Sequence, residues 1–68
     1  MHKTVEIRGM RCGHCAAHVE RALNTLNGVR AKVDLSTQTA VLESALEVPD
    51  EEIIQMVRDA GYEVISIH

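Results

Sequence analysis

The chain is poor in aromatic residues and in long apolar runs, and each shortage excludes a class of protein. It has no Trp or Phe, and Tyr62 is its one tyrosine. Because no dense basic run makes up for the missing aromatic residues, nucleic-acid binding is not expected. No stretch approaches the ~18 apolar residues that a membrane span needs, so membrane insertion is not expected either.

Cysteine and proline are also scarce, with two and one residues respectively. The chain opens with Met1-His2-Lys3 and passes directly into a predicted strand, which leaves no room for a signal peptide. We therefore expect a cytoplasmic location, where thiols stay reduced. In that setting two cysteines favour a metal or redox pair over a structural disulfide.

The chain does have enough apolar residues for one small core. They make up 46% of its 68 residues, and a chain of this size buries about 60% of the surface that it exposes when unfolded. We expect residues 1–68 to form a single domain.

Hydrophobic periodicity predicts six elements in the order βαββαβ. Strands are predicted at residues 4–8, 29–35, 39–43 and 62–67. A first helix has its apolar face at Ala16, Val19, Leu23 and Leu26 and is closed by Asn27-Gly28; a second starts at Pro49, has its apolar face at Ile53, Ile54, Val57 and Ala60, and ends at Gly61. This order predicts an α+β fold of ferredoxin-like type: a two-layer sandwich with an antiparallel four-stranded sheet and two helices on one face.

The sequence allows two orientations of the third strand relative to the core. Either Ala40 and Leu42 face the core, or Val41 does. We expect Ala40 and Leu42 inside, because the alternative would place the charged Glu43 on the same face as Val41.

Both cysteines lie in the segment Gly9-Met10-Arg11-Cys12-Gly13-His14-Cys15. This Cys-x-x-Cys joins the first strand to the first helix, with Cys12 on the loop and Cys15 in the first helical turn. Free N–H groups and the dipole at a helix N-terminus favour thiolate over thiol. Thiolates bind soft ions such as Cu(I), and two of them are too few for a closed structural zinc site. The pattern predicts a site that holds an ion and releases it.

Charge is divided unevenly along the chain. Residues 1–33 hold six positive charges and two negative ones, whereas residues 34–68 hold one positive and eight negative ones. Two interpretations are open: solvated faces that happen to differ, or a basic surface near the cysteine loop that meets an acidic partner. In the second interpretation Arg11 and Arg21 are the docking residues.

With this element order and Gly-Met-x-Cys-x-x-Cys after the first strand, the chain resembles the heavy-metal-associated domain family. Asn27-Gly28-Val29 and Asp59-Ala60-Gly61-Tyr62 add to the likeness, and Tyr after Gly in the last loop is similar to bacterial copper chaperones of the CopZ type. The resemblance implies Cu(I) held by Cys12 and Cys15 in near-linear coordination and passed by thiolate exchange to the metal-binding domain of a copper-transporting P-type ATPase. Arg11 stands where the family commonly has Thr or Ser. Zinc and cadmium pumps often have Asp at that position, so the absence of Asp here disfavours Zn(II). Zn(II), Cd(II), Hg(II) and Ag(I) nevertheless stay open as ions that the site binds.

Three further residues are predicted to support the metal site. Met10 is expected to pack in the core under the loop. His14 is expected to face solvent and to tune the thiols without binding the metal. Tyr62 is expected to cover the core beside the loop, with its hydroxyl near the site.

Two alternatives to a free-standing copper chaperone are considered. One is an N-terminal regulatory domain of a heavy-metal P-type ATPase. The other is an enzyme, because Cys12-Gly13-His14-Cys15 matches the dithiol of protein disulfide isomerases. A thioredoxin-like fold needs a longer chain and a proline before a strand, whereas Pro49 opens a helix, so no enzyme is expected. The apo chain is expected to be a monomer, with a metal-bridged dimer open to the loaded form.

Overall fold

The fold was obtained as a computed structural model that describes residues 1–68. Its elements are β1 (His2–Arg8), α1 (Gly13–Asn24), β2 (Val29–Asp34), β3 (Thr39–Ser44), α2 (Asp50–Asp59) and β4 (Glu63–Ile67). The predicted order βαββαβ is confirmed. None of the helices is long and apolar enough to cross a membrane.

The four strands form one antiparallel sheet in the order β2-β3-β1-β4. Val5 pairs with Ala40 across β1 and β3, and Ala31 pairs with Leu42 across β2 and β3. Ala40 and Leu42 are fully buried, which confirms the predicted parity of the third strand. β1 is a central strand, so the segment that follows it is anchored at the middle of the sheet.

Both helices pack on one face of this sheet and complete a single core. α1 buries Val19 and Leu23, and α2 buries Ile53 and Val57, at helical spacings of four. The three acidic residues in the first turn of α2 interact favourably with the positive end of the helix dipole. The predicted two-layer sandwich of ferredoxin-like type is therefore confirmed.

The helix boundaries differ from prediction at two places. α1 ends at Asn24, with Thr25 as its cap, and not at Asn27-Gly28. The Thr25 hydroxyl donates to the carbonyl of Ala22 at 2.6 Å, and Leu26 N–H donates to Leu23 O at 3.2 Å, so the last turn tightens and the helix stops. Gly28 does adopt a left-handed φ of 76°, but in the turn that enters β2. Pro49 caps α2 from outside its first turn.

Side chains of α1 cover the outer edge of β2. The Asn24 amide accepts from Ala31 N–H at 2.9 Å and donates to Ala31 O at 3.1 Å, while the Glu20 carboxylate accepts from Val33 N–H at 3.0 Å. These groups take the place of a neighbouring strand and satisfy an edge that would otherwise be open to pairing. They also fix α1, which begins at the cysteine loop, against the sheet.

Candidate metal centre

The cysteine loop runs from the end of β1 to the start of α1. Gly9 turns the chain with a φ of 104°, which a residue with a side chain adopts only with strain. Met10 then inserts into the core with 3% exposure, and its predicted packing under the loop is confirmed. Anchored there, the loop presents Cys12 as the N-cap of α1 and Cys15 as its third residue.

The two thiols lie close together and differ in exposure. Their sulfur atoms are 3.8 Å apart, with Cys12 exposed and Cys15 partly buried. A disulfide needs about 2.05 Å, so both thiols are free. Two metal–sulfur bonds of about 2.3 Å span at most about 4.6 Å, so one ion can bridge the pair. No group of three or more His, Cys, Asp or Glu side chains is arranged to hold a metal ion.

The environment of Cys15 favours its thiolate. Its pKa is lowered from 9.0 to about 7, chiefly by the backbone N–H of Arg11 and next by the Tyr62 side chain. The thiol and the backbone of Cys12 lower the pKa further, whereas partial desolvation raises it. Hydrogen bonds to the charged form of an acid are the expected cause of such a shift.

Tyr62 lies directly beside this thiol. A hydrogen bond to the Cys15 side chain raises the pKa of Tyr62 above 10.0, with smaller contributions from partial desolvation and from the charges of Cys15 and Cys12. The ring packs over the backbone of Gly9, where an added Cβ would lie 3.4 Å from Tyr62 Cδ1. Tyr62 therefore covers the loop at Gly9, and its hydroxyl lowers the pKa of the Cys15 thiol.

Of the remaining predicted residues, His14 and Arg11 lie at the loop, whereas Arg21 lies at the other end of α1. His14 is the second residue of α1 and is exposed, so its influence on the thiols stays a prediction. Arg11 and Arg21 are both exposed, and neither forms an ion pair with an acid of this chain. Arg21 lies in the last turn of α1, where its positive charge interacts favourably with the negative end of the helix dipole.

Two residues outside the predicted set reach the site. The His18 ring stands edge-on to Tyr62, with ring centroids 6.2 Å apart and planes at 82°. Because His18 follows Cys15 by one helical turn, its approach to the site could be predicted from the sequence. Gln38 donates from its side chain to the carbonyl of Met10 at 2.7 Å. It lies 28 residues away along the chain, and no sequence pattern announces that contact.

Comparison with known proteins agrees with this geometry. The family model of the heavy-metal-associated domain matches residues 4–63. The copper-exporting P-type ATPase of Mycobacterium tuberculosis is 42% identical over 59 residues, and the cation-transporting P-type ATPase B of Mycobacterium leprae is 40% identical over 58 residues. These matches cover 87% and 85% of this chain but only 8% of either ATPase.

Solved structures resemble the whole fold. A CopZ metallochaperone superposes with a TM-score of 0.88 at 31% identity, covering 96% of this chain and 100% of that one. A copper-binding domain from a P-type ATPase superposes with a TM-score of 0.84 at 33% identity, covering 100% and 99% of the two chains.

Proposed function

The chain belongs to the heavy-metal-associated domain family, and we propose that it is a copper chaperone. In this proposal Cys12 and Cys15 bind one Cu(I) ion and pass it by thiolate exchange to the metal-binding domain of a copper-transporting P-type ATPase in the cytoplasm. The observation that carries the proposal is a pair of free thiols 3.8 Å apart, one exposed and one with a pKa of about 7.

The donor set suits a soft ion in transit. Cu(I) favours thiolate ligands, whereas a structural Zn(II) site takes four ligands in a closed tetrahedron. Two sulfurs leave the ion open on the solvent side, next to the exposed Cys12. A thiolate of the partner can bind there before Cys12 dissociates, so copper never leaves sulfur coordination.

The exposed arginines suit an acidic docking partner. Since Arg11 and Arg21 have no ion-pair partner in this chain, their charges are available to speed an encounter with an acidic surface. The chemistry is binding and transfer, without a bond made or broken in a substrate, and so we propose no enzymatic activity.

A second candidate is a regulatory domain of a copper-transporting ATPase. It is favoured by the identity of 42% with one segment of a P-type ATPase. The length of the natural reading frame distinguishes the two candidates, since only the second predicts transmembrane segments after the domain. A disulfide-reduction assay addresses the dithiol enzyme, for which we expect no activity.

Anaerobic titration of the apo chain with Cu(I) and with Zn(II), each against a competing chelator, tests the proposal. We expect one Cu(I) per chain, bound more tightly than Zn(II), and loss of tight binding in Cys12→Ser and Cys15→Ser. Circular dichroism of the apo chain should show the fold intact, because the core does not include the metal. Tighter binding of Zn(II), or an unfolded apo chain, would contradict the proposal.

Sedimentation at increasing copper loads tests the oligomeric state. We propose a monomer for the apo chain and for the first equivalent of Cu(I). A metal-bridged dimer is expected above one equivalent, because exposed Cys12 thiolates of two chains can then share an ion. A dimer already present without metal would contradict this.

A further inference from the structure

Gln38 has an unusual backbone conformation in the turn between β2 and β3. Its φ of 56° makes it the one residue other than glycine with a positive φ. Glycine or asparagine adopts this region with less strain than glutamine. A non-glycine residue retained in such a conformation points to a role for its side chain.

The Gln38 side chain is partly buried and donates two hydrogen bonds. Its Nε2 lies 2.7 Å from the carbonyl oxygen of Met10 and 3.0 Å from that of Leu35. The bond to Leu35 stays within the turn. The shorter bond to Met10 crosses to the cysteine loop.

The backbone of Gln38 is tied to the same segment. Its carbonyl accepts from Ile7 N–H at 2.9 Å. Ile7 and Met10 stand on either side of Gly9, where the chain leaves β1 with a φ of 104°. Gln38 therefore holds both ends of the bend that sends the chain into the metal loop.

The carbonyl that Gln38 binds belongs to the peptide group that begins the cysteine loop. Met10 C=O and Arg11 N–H are the two polar ends of one planar unit, so a donor held at the oxygen fixes the orientation of the whole group. Arg11 is followed directly by Cys12, the N-cap of α1. The bond from Gln38 therefore fixes the backbone immediately before the first thiol.

We propose that Gln38 is a positioning residue of the metal centre: its side-chain amide holds the Met10 carbonyl and its backbone carbonyl holds the Ile7 N–H, and together they fix the bend from which the cysteine loop starts. The link within the apo chain stands without any metal, whereas its effect on copper rests on the proposed function. The turn between β2 and β3 is thereby part of the metal centre.

Two substitutions separate the side chain of Gln38 from its backbone. Gln38→Glu keeps the shape but replaces the donor with a carboxylate, which repels the Met10 carbonyl. Gln38→Gly removes the donor and suits the positive φ, so relief of backbone strain offsets part of the loss of two hydrogen bonds and the chain is expected to fold. Gln55→Glu is the control, since it makes the same charge change and likewise replaces a donor that faces an oxygen, Asp59 Oδ1 at 2.8 Å, at an exposed position of α2.

The first measurement is the NMR spectrum of the apo chain. We expect the ¹³C resonance of the Met10 carbonyl to move upfield in both Gln38 variants, because that oxygen loses its hydrogen bond. The amide exchange rate of Ile7 should stay unchanged in Gln38→Gly, because the backbone bond to residue 38 remains. A Met10 carbonyl resonance that is the same in the parent chain and in both variants would overturn the proposal.

The second measurement is Cu(I) affinity by chelator competition. We expect a loss of roughly three- to tenfold in both Gln38 variants and none in Gln55→Glu. Equal losses in all three variants, or none in the Gln38 pair, would overturn a role in metal binding. If the parent chain itself fails to bind Cu(I), the proposed function is wrong, and the Met10 carbonyl resonance still decides whether Gln38 holds the cysteine loop.

Discussion

Substituting Tyr62 by Phe removes the hydroxyl that acts on Cys15 and keeps the ring that packs over Gly9. With a pKa of about 7, roughly half of the Cys15 side chains are thiolate at pH 7, against about 1% for a thiol at 9.0. One hydrogen bond changes an equilibrium constant by about three- to tenfold. We therefore expect Tyr62→Phe to raise the pKa of Cys15 from about 7 to about 7.5–8, still below 9.0 because the Arg11 amide remains.

The assay is the rate of alkylation of Cys15 as a function of pH, from about pH 5 to pH 10. It is made in a Cys12→Ser background, in which a single thiol reacts and the serine hydroxyl still donates. The midpoint of the profile is the measured quantity, because a thiolate of lower pKa is also less nucleophilic and the plateau rates differ for that reason. At pH 7 the thiolate fraction should fall from about half to about 10–25%.

Tyr62 provides a reciprocal measurement. It is the one tyrosine of the chain, so the near-ultraviolet absorbance of the phenolate reports on it alone. Cys15→Ala should lower the pKa of Tyr62 toward 10.0, since the interaction that raises it is lost. An alkylation midpoint that is the same with and without the Tyr62→Phe substitution would refute the assignment of the hydroxyl to the thiolate.

Three further predictions concern stability, coordination and docking. Because the pKa of Cys15 is lower in the native chain than in the unfolded chain, folding releases a proton between about pH 7 and pH 9. The denaturant concentration at half unfolding of the apo chain should therefore increase between these two pH values, and this increase should be absent in Cys15→Ala. His14→Gln should raise the pKa of at least one of the two cysteines and leave Cu(I) bound; loss of most of the copper affinity would instead identify His14 as a ligand. Reversing the charge of Arg11 and Arg21 should slow copper transfer to the ATPase domain, most at low salt, with affinity unchanged; a transfer rate indifferent to charge and salt would contradict a docking role.

The fold was predictable because its main signals are local. Alternation placed Ala40 and Leu42 in the core, and helical spacing identified the faces that bury Val19 and Ile53. The end of α1 was predicted too late, because Gly28 is a strong stop signal and the Thr25 hydroxyl that ends the helix earlier is a weak one. Packing decides which of two nearby stop signals ends the helix, and hydrophobic periodicity carries no information about that packing.

The metal centre was predictable only in part, for a different reason. Cys12 and Cys15 lie in one short motif, and Met10 and Tyr62 were expected from the loops that carry them. The amide that lowers the pKa of Cys15 most belongs to Arg11, whereas the sequence pattern indicated a role for the Arg11 side chain. Backbone groups have no signature in a sequence, and neither has the hydrogen bond from Gln38 to Met10 across 28 residues.

Under the proposed function, the difference between the two thiols would let one site both hold and release copper. Cys15 is partly buried and held as a thiolate by the Arg11 amide and Tyr62, whereas Cys12 is exposed at the helix N-cap. In that proposal an incoming thiolate would meet the ion on the Cys12 side, and Cys12 would be the ligand with less to hold it in place. Copper would then remain on Cys15 until a second sulfur of the partner arrives. Because each proposed step exchanges one metal–sulfur bond for another, the direction of transfer would follow the relative thiolate stability at the two sites, and the contacts around Cys15 would set that stability on this side.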